Sequence, residues 1–408
     1  MQYFRNADIE KEYPVNESTV RRWIRMSKEG KLDLALVEVG NKAYVANTAR
    51  NIETIKRLIE NNRKFRNPRA AKRVAPRPEF YKLYNQAQIY DIVTNLSVHH
   101  EIPRQFNYFD GGAHNWDNYV QHLMADKVPS QPASTIKLLE KNRGYIDDLL
   151  DRYKRINVVD IGPGNVLPVR DFLAHLVNEG KLGRYLALDV SAEMLDIARA
   201  NVKEWFGGAV SFEGYQMDIN YERFSNLLAE ESMRKDADKT VNIVLFLGGT
   251  PFNFRNPDRA FSVVHDSMDR GDLLFYTDKL DTQTNRRFFD FHTEPEKLTA
   301  LAPNHRFIFD LLNVDESFYD VEMGFDKELR QRYIQVRLKV ALSITFNFDA
   351  GVRTVEFEKG DAILLWRFKQ HTALEMEQFF DRNGFSAIQA SQTDDQDYIL
   401  LISRVKAE

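Results

Sequence analysis

From about residue 155 the chain alternates short apolar runs with longer amphipathic ones, a rhythm that few folds accept. Apolar runs lie near 156–161, 184–189, 210–215, 241–247 and 272–277. They have strand length and little polar alternation, as strands buried on both faces do. Between them, 167–179 and 191–206 repeat apolar residues at helical spacing. The alternation predicts an open, doubly wound α/β sheet over residues 151–285. Such sheets bind ligands outside the carboxyl ends of their strands, so the strand tips hold the candidate site.

The first tip reads Val158-Val159-Asp160-Ile161-Gly162-Pro163-Gly164-Asn165. Its glycines allow close backbone approach to a ligand, and the following helix offers free amide donors. Leu167 stands where a third glycine would complete a dinucleotide fingerprint, and no Gly-Lys-Ser/Thr follows, so neither a pyrophosphate site nor a P-loop is expected. The second run, Leu186-Ala187-Leu188-Asp189-Val190-Ser191, ends in an acid 25 residues after Gly164. That position suits a ribose diol, and also a helix N-cap shared with Ser191. Gln216-Met217-Asp218-Ile219 ends the third run, where an acid can meet an adenine amino group. Leu245-Phe246-Leu247-Gly248-Gly249-Thr250-Pro251-Phe252-Asn253 closes the fourth with a second glycine turn.

Together these tips resemble the histidine-specific methyltransferase family, which includes the enzyme that trimethylates histidine in ergothioneine biosynthesis. Tyr84 to Thr94 is similar to that family's N-terminal segment, and the resemblance spans roughly residues 80–400. It implies a Rossmann-like S-adenosylmethionine (SAM) domain, with an added α+β substrate region. By position it assigns Gly162, Pro163, Gly164, Asp189, Asp218, Ile219 and Gly248 to the cofactor, and Tyr84 and Asn253 to the substrate. The family's imidazole-reading acid and serine are replaced here by Trp366 and Phe368, and the run Phe288, Phe289, Phe291 stands where a substrate tyrosine belongs. A site built to hydrogen-bond imidazole loses those bonds, so the expected acceptor is an amine larger or more apolar than histidine. Methyl transfer from a sulfonium asks mainly for alignment and water exclusion, so no catalytic side chain is singled out. Asn115-Trp116-Asp117-Asn118-Tyr119 reads as a packed loop or as a substrate entrance. His99, His100 and His114 lack the spacing of a metal site.

Before the sheet the chain changes character. Residues 1–78 hold 18 Lys and Arg against 9 Asp and Glu, and the remainder 38 against 51. Residues 1–66 predict a helix from Asn6-Ala7-Asp8 to about Tyr13, ended by Pro14, and a second helix with Ser18 as N-cap. The second helix has Val20, Trp23 and Ile24 on one face and Arg21, Arg22 and Arg25 on the other. A hairpin, Leu34–Val39 and Ala43–Val45 about the turn Gly40-Asn41-Lys42, precedes a helix Arg50–Arg63 with Ile52, Ile55, Leu58 and Ile59 inside. This unit resembles the small winged helix-turn-helix domains of MerR-type regulators and excisionases. The resemblance implies DNA contacts through Arg21, Arg22, Arg25 and Lys42; a protein-docking module is the other reading. Residues 67–78 are basic and proline-containing and read as a linker.

The domain plan is therefore a winged-helix module at 1–66, a linker at 67–78 and a methyltransferase at 79–408. The last divides into a helical part at 79–150, the Rossmann-like core at 151–285, and a substrate region with C-terminal strands at 286–408. In that region Tyr333–Phe348 and Thr354–Phe357 read as strand runs, Thr372–Asn383 as a helix and Tyr398–Ser403 as a last strand. With no cysteine, no apolar leader and no run of about 18 apolar residues, a cytoplasmic protein is expected. Function then divides between an N-methyltransferase of a small amine and a DNA-binding regulator that senses a metabolite on a methyltransferase fold. A nucleic-acid methyltransferase is disfavoured, because Gly249-Thr250-Pro251-Phe252-Asn253 lacks an Asn/Asp-Pro-Pro-aromatic motif.

Overall fold

The computed structural model describes residues 3–13, 15, 17–40, 42–65, 71–109, 111–125, 130–232, 239–284 and 296–406. The chain divides into two compact units, Met1–Ala71 and Lys72–Glu408. Among the described residues no helix is long and apolar enough to cross a membrane.

The first unit contains β1 (Tyr3–Phe4), α1 (Asn6–Glu12), α2 (Glu17–Lys28), β2 (Leu36–Val39), β3 (Lys42–Ala46) and α3 (Ala49–Phe65). The strands form one antiparallel sheet in the order β1-β3-β2. Val20, Trp23, Ile24, Val45, Ile55 and Ile59 are buried together, as the helical periods of α2 and α3 require. α2 begins at Glu17, one residue before the N-cap expected at Ser18, and Asn16 before it lies outside the described residues. Asn51 is fully buried and ties the unit together. Its Oδ1 accepts from Ala35 N at 2.9 Å, while Nδ2 donates to the carbonyls of Ala35 and Ala46 at 2.8 Å each.

The second unit starts inside the stretch read as linker. β4 (Lys72–Val74) pairs in parallel with β13 (Leu342–Phe348). Backbone pairing with a distant strand overrides the local proline-containing composition, so 72–78 belongs to the second unit. After it come α4 (Pro78–Leu83), α5 (Gln86–His99), a 3₁₀ turn at Arg104–Tyr108, α6 (Gly111–Ala125), α7 (Gln131–Lys141) and α8 (Arg143–Leu150). The stretch Asn115–Tyr119, read as a loop or an entrance, thus lies within a helix that opens at Gly111, with Ala113, Trp116 and Val120 at helical spacing along it.

The core follows: β5 (Arg155–Ile161), α9 (Arg170–Asn178), β6 (Leu182–Asp189), α10 (Ala192–Phe206), β7 (Phe212–Gln216), α11 (Ser225–Ser232), β8 (Thr240–Phe246), α12 (Pro257–His265) and β9 (Leu273–Lys279). Its seven-stranded sheet is completed by β16 (Phe385–Gln392) and β17 (Tyr398–Val405), in the order β16-β17-β9-β8-β5-β6-β7. β9 through β7 are parallel, and β17 and β16 are antiparallel additions. Val158, Ile243 and Phe275 pack on one face with α7–α10, and Val159, Val244 and Tyr276 on the other with α11 and α12. Helices on both faces explain the continuously apolar strands.

Two smaller sheets make up the added α+β region: β10 (Glu296–Leu298), β11 (Tyr319–Asp326), β12 (Gln331–Leu338) and β15 (Ala362–Lys369) in one, and β14 (Gly351–Phe357), β13 and β4 in the other. The single run read at Tyr333–Phe348 is therefore two strands in different sheets, broken at 339–341. A helix at Pro303–Leu311 packs into this region, and a helix at Ala373–Arg382 precedes β16.

Candidate active site

The chain reverses direction across the sheet between β8 and β5, and ligand crevices form at such switch points. A cleft of about 790 Å³, open mouth included, lies there. It is lined by Gly162 and Gly164 after β5, Asp189 at the tip of β6, Met217 to Asn220 after β7, and Thr250, Asn253 and Phe254 after β8. Gly162 has φ of +65° and Gly164 of +55°, the left-handed region that glycine enters freely. A Cβ at Gly164 would also stand 3.3 Å from the Trp116 indole nitrogen.

The acids differ in what holds them. Oδ1 of Asp189 accepts from Ser191 N at 2.9 Å, while Ser191 Oγ caps α10 at Met194 N. The Ser191 hydroxyl itself donates to the Tyr108 carbonyl at 2.7 Å, fixing the 3₁₀ turn over the cleft. Burial pushes the Asp189 carboxyl up to about 7, against the lowering effect of the Ser191 and Val190 amides. Oδ1 of Asp218 accepts both the backbone and side-chain amides of Asn220 at 2.9 Å. Burial raises Asp218 as well. Behind the glycine turn, Asp160 is 2% exposed.

Of the residues singled out in the sequence, Gly162, Gly164, Asp189, Asp218, Ile219 and Asn253 line this one cleft. Pro163 and Gly248 do not: Pro163 is buried within the turn, and Gly248 is exposed with its amide directed at Thr277 Oγ1. Tyr84 is removed from the cleft. Its ring packs against Phe80, Phe106 and Phe109, and its hydroxyl donates to the Phe106 carbonyl at 2.6 Å. Trp366 and Phe368 do not line the cleft either; they stack on β15 with rings 6.1 Å apart and 7° from parallel. Phe368 borders Gly249, where a Cβ would meet its ring at 3.2 Å, and Arg332 lies 5.7 Å over Trp366. Phe288, Phe289 and Phe291 lie outside the described residues.

Sequence reasoning missed Arg104, Gln105, Tyr108, Met194, Met217 and Thr250 as lining residues. Nothing local marks Arg104-Gln105 as a cleft wall. Trp116, weighed earlier as an entrance, sits on α6 and lines the cleft, and Asp117 beside it accepts from Asn165 Nδ2 at 2.8 Å.

A second cavity of about 890 Å³, mouth included, adjoins the cleft and shares Arg104, Gln105, Asn220, Asn253 and Phe254 with it. In the shared wall, Oδ1 of Asn253 is buried without a hydrogen-bond partner among the described residues.

These features suit SAM. The glycine turn leaves room for the methionyl part, Asp189 has an oxygen to offer a ribose diol, and Leu188, Val190, Met217 and Ile219 give apolar walls for a purine.

The chain is similar to a SAM-dependent methyltransferase from Clostridium acetobutylicum (9% identity, 72% of this chain and 99% of that one, TM-score 0.41). It is also similar to the CcbJ methyltransferase of Streptomyces caelestis (12%, 66% and 90%, 0.36). A third likeness is the SAM-bound CalS10, an amino pentose methyltransferase of Micromonospora echinaspora (12%, 64% and 91%, 0.32). No curated protein matches. The model of the family described as "Histidine-specific methyltransferase, SAM-dependent" matches residues 90–405. With a match over most of its length, the chain belongs to the histidine-specific, SAM-dependent methyltransferase family.

Proposed function

We propose that the chain N-methylates an amino acid or another small amine, its nitrogen held at Asn253 while Gly162, Gly164, Asp189, Asp218 and Ile219 hold the cofactor. The observation that carries this reading is the unpartnered Oδ1 of Asn253 in the wall shared by cleft and second cavity. A buried acceptor without a donor costs about 1–3 kcal/mol, and an amine N–H supplies that donor. The sulfonium brings an already activated methyl group. The chain's own residues then orient the neutral nitrogen and exclude water, chiefly through the wall formed by Tyr108 and Trp116. The family's imidazole-reading acid and serine are replaced by Trp366 and Phe368, neither of which lines the cleft, and loss of those hydrogen bonds favours an acceptor larger or more apolar than histidine.

The test is calorimetric titration with SAM beside an Asp189→Ala variant, then transfer of labelled methyl to a panel of amino acids and amines. Binding lost in the variant, with transfer slowed at least about tenfold by Asn253→Ala, supports the reading. No SAM binding by the folded wild type sinks it.

The first unit is read as a winged-helix, DNA-binding module. Arg21, Arg22, Arg25 and Lys42 are all exposed, the distribution expected of a polyanion-binding face. That face also favours a second reading, a DNA-binding regulator that senses a metabolite in the same cleft. SAM binding without turnover of any amine, together with salt-sensitive DNA retention, would select it.

A further inference from the structure

Trp116 on α6 presents one particular edge to the cofactor cleft. A Cβ at Gly164 would stand 3.3 Å from its Nε1 and 4.0 Å from its Cδ1, so the N–H side of the indole faces the glycine turn. An indole nitrogen donates and cannot accept, and inside a protein it ordinarily finds an acceptor. Among the described residues this one has none. The ring is held in that attitude by its neighbours. Tyr108 meets it edge-on at 6.0 Å and 77°, and the Tyr119 ring lies 5.7 Å away. One residue on, Oδ1 of Asp117 accepts from Asn165 Nδ2 at 2.8 Å, which ties α6 to the turn itself.

The turn adds donors of its own. Gly162 N, Val166 N and Leu167 N are taken by Leu188 O, Pro163 O and Asn165 Oδ1. Gly164 N and Asn165 N have no acceptor among the described residues. The charges lining the cleft are arranged to match. Its two carboxylates, Asp189 and Asp218, stand at the end of β6 and beyond β7, away from the turn. Its one cation, Arg104, is engaged with the Tyr108 hydroxyl at 3.1 Å and with Nδ1 of His305 at 3.1 Å. An anion beside the turn therefore meets free neutral donors and no repelling carboxylate, and hydrogen bonds to an ionised acceptor are among the stronger ones. SAM carries one carboxylate, on its methionyl part.

We infer that Trp116 recognises that carboxylate, its indole N–H donating to it beside the unbonded amides of Gly164 and Asn165. The cleft then selects cofactors that keep the carboxylate, SAM and its product S-adenosylhomocysteine, against 5′-methylthioadenosine, which lacks the amino-acid end. The inference rests on the reading of the glycine turn as the methionyl site. It also gives Gly164 a second reason to be glycine, since a side chain there would stand in front of the donor.

Calorimetry on the full-length protein tests it, with S-adenosylhomocysteine and 5′-methylthioadenosine as the probes. Wild type should bind S-adenosylhomocysteine at least about tenfold tighter than 5′-methylthioadenosine. Trp116→Phe keeps a ring between Tyr108 and Tyr119 and removes the N–H. It should weaken S-adenosylhomocysteine about tenfold or more and leave 5′-methylthioadenosine within about twofold. Should that variant not fold, Gly164→Ala sets a methyl 3.3 Å from the same nitrogen and should show the same selective loss. Equal weakening of both ligands makes Trp116 a wall that only shapes the cleft, and overturns the inference. Loss of SAM affinity with S-adenosylhomocysteine unaffected overturns it as well, because that is the signature of a ring acting on the sulfonium charge. Wild type that does not separate the two probes has the same consequence. Failure of the cofactor reading itself looks different: SAM would not bind wild type, or Asp189→Ala would bind all three ligands as wild type does.

Discussion

The hydroxyl of Tyr185 donates to Oδ2 of Asp160 at 2.8 Å, two residues before the glycine that opens the cofactor cleft. Burial pushes Asp160 up to about 7, with the Asp189 charge adding to the rise and the Tyr185 hydrogen bond opposing it. An acid whose pKa is higher folded than unfolded gives stability that is present below about pH 4 and lost as pH rises through about 7. Asp160→Asn keeps an acceptor for Tyr185 and removes that titration. In denaturant unfolding the variant should be more stable than wild type by roughly 1–3 kcal/mol at pH 8 and near parity at pH 4.5. An equal difference at both pH values would contradict the assignment.

Asp189 shares the shift to about 7 for the same reason, the burial of its carboxyl. Only the ionised group accepts from both ribose hydroxyls while keeping the Ser191 amide. SAM affinity should therefore rise between pH 6 and pH 8. Asp189→Asn should weaken SAM by roughly 10- to 100-fold and flatten the profile. Calorimetry at three pH values is sufficient.

Gly249 is held at φ +69°, and a Cβ there would stand 2.2 Å from Oδ1 of Asp278. Asp278 cannot yield easily: it accepts the Tyr276 hydroxyl at 2.7 Å and the Lys279 amide at 2.7 Å. Gly249→Ala should cost about 2–4 kcal/mol of stability, and it should displace Asn253 on the same turn. The two effects are read by thermal melting and by methyl transfer at a temperature where the variant is folded.

The three hydrogen bonds of Asn51 predict that Asn51→Leu destabilises the first unit by roughly 1–3 kcal/mol, since it leaves the Ala35 N–H unpaired and the Ala35 and Ala46 carbonyls with one backbone donor each. Hydrogen exchange should show α3 amides opening sooner, with those of β5 and β8 unchanged.

Arg21 is paired with Glu17 at 2.9 Å, whereas no such pair is seen for Arg22 or Arg25 among the described residues. On the DNA-binding reading proposed for the first unit, charge reversal of Arg22 or Arg25 should weaken DNA retention, and neutralising either to Gln should reduce the salt slope by about one. Arg21→Gln should do less. Fluorescence anisotropy across a salt series measures all three.

The parallel strands were legible because their burial is nearly independent of context. β5, β6, β8 and β9 carry apolar residues on both faces, so composition alone places them within a few residues. Asp189, Asp218 and Asn253 were legible as strand-tip residues of such a sheet. What failed was decided by partners far away in the chain. Lys72–Val74 is a strand only because β13 lies beside it, and the apolar alternation of 333–348 runs unbroken through a change of sheet. Glu101 and Arg367 meet across 266 positions, and neither is conspicuous alone. Tyr84 was assigned to the substrate by its match to the family's N-terminal segment; the three phenylalanine rings around it keep it out of the cleft. The periodicity of Ala113, Trp116 and Val120 was present and would have found α6, had Asn115–Tyr119 not been read as a loop.

The order of strands in the core sheet also sets an order in time. β17 sits between β9 and β16, yet it follows every other strand in the chain. While the protein is being synthesised, β9 must wait as a bare edge until residues 398–405 leave the ribosome. The floor beneath Gly249 and Asp278 is therefore finished last, whatever has already formed at the glycine turn. A nascent chain halted shortly before Tyr398 would expose a long apolar edge, and it is at that stage, rather than in the finished enzyme, that a holdase chaperone would find its target.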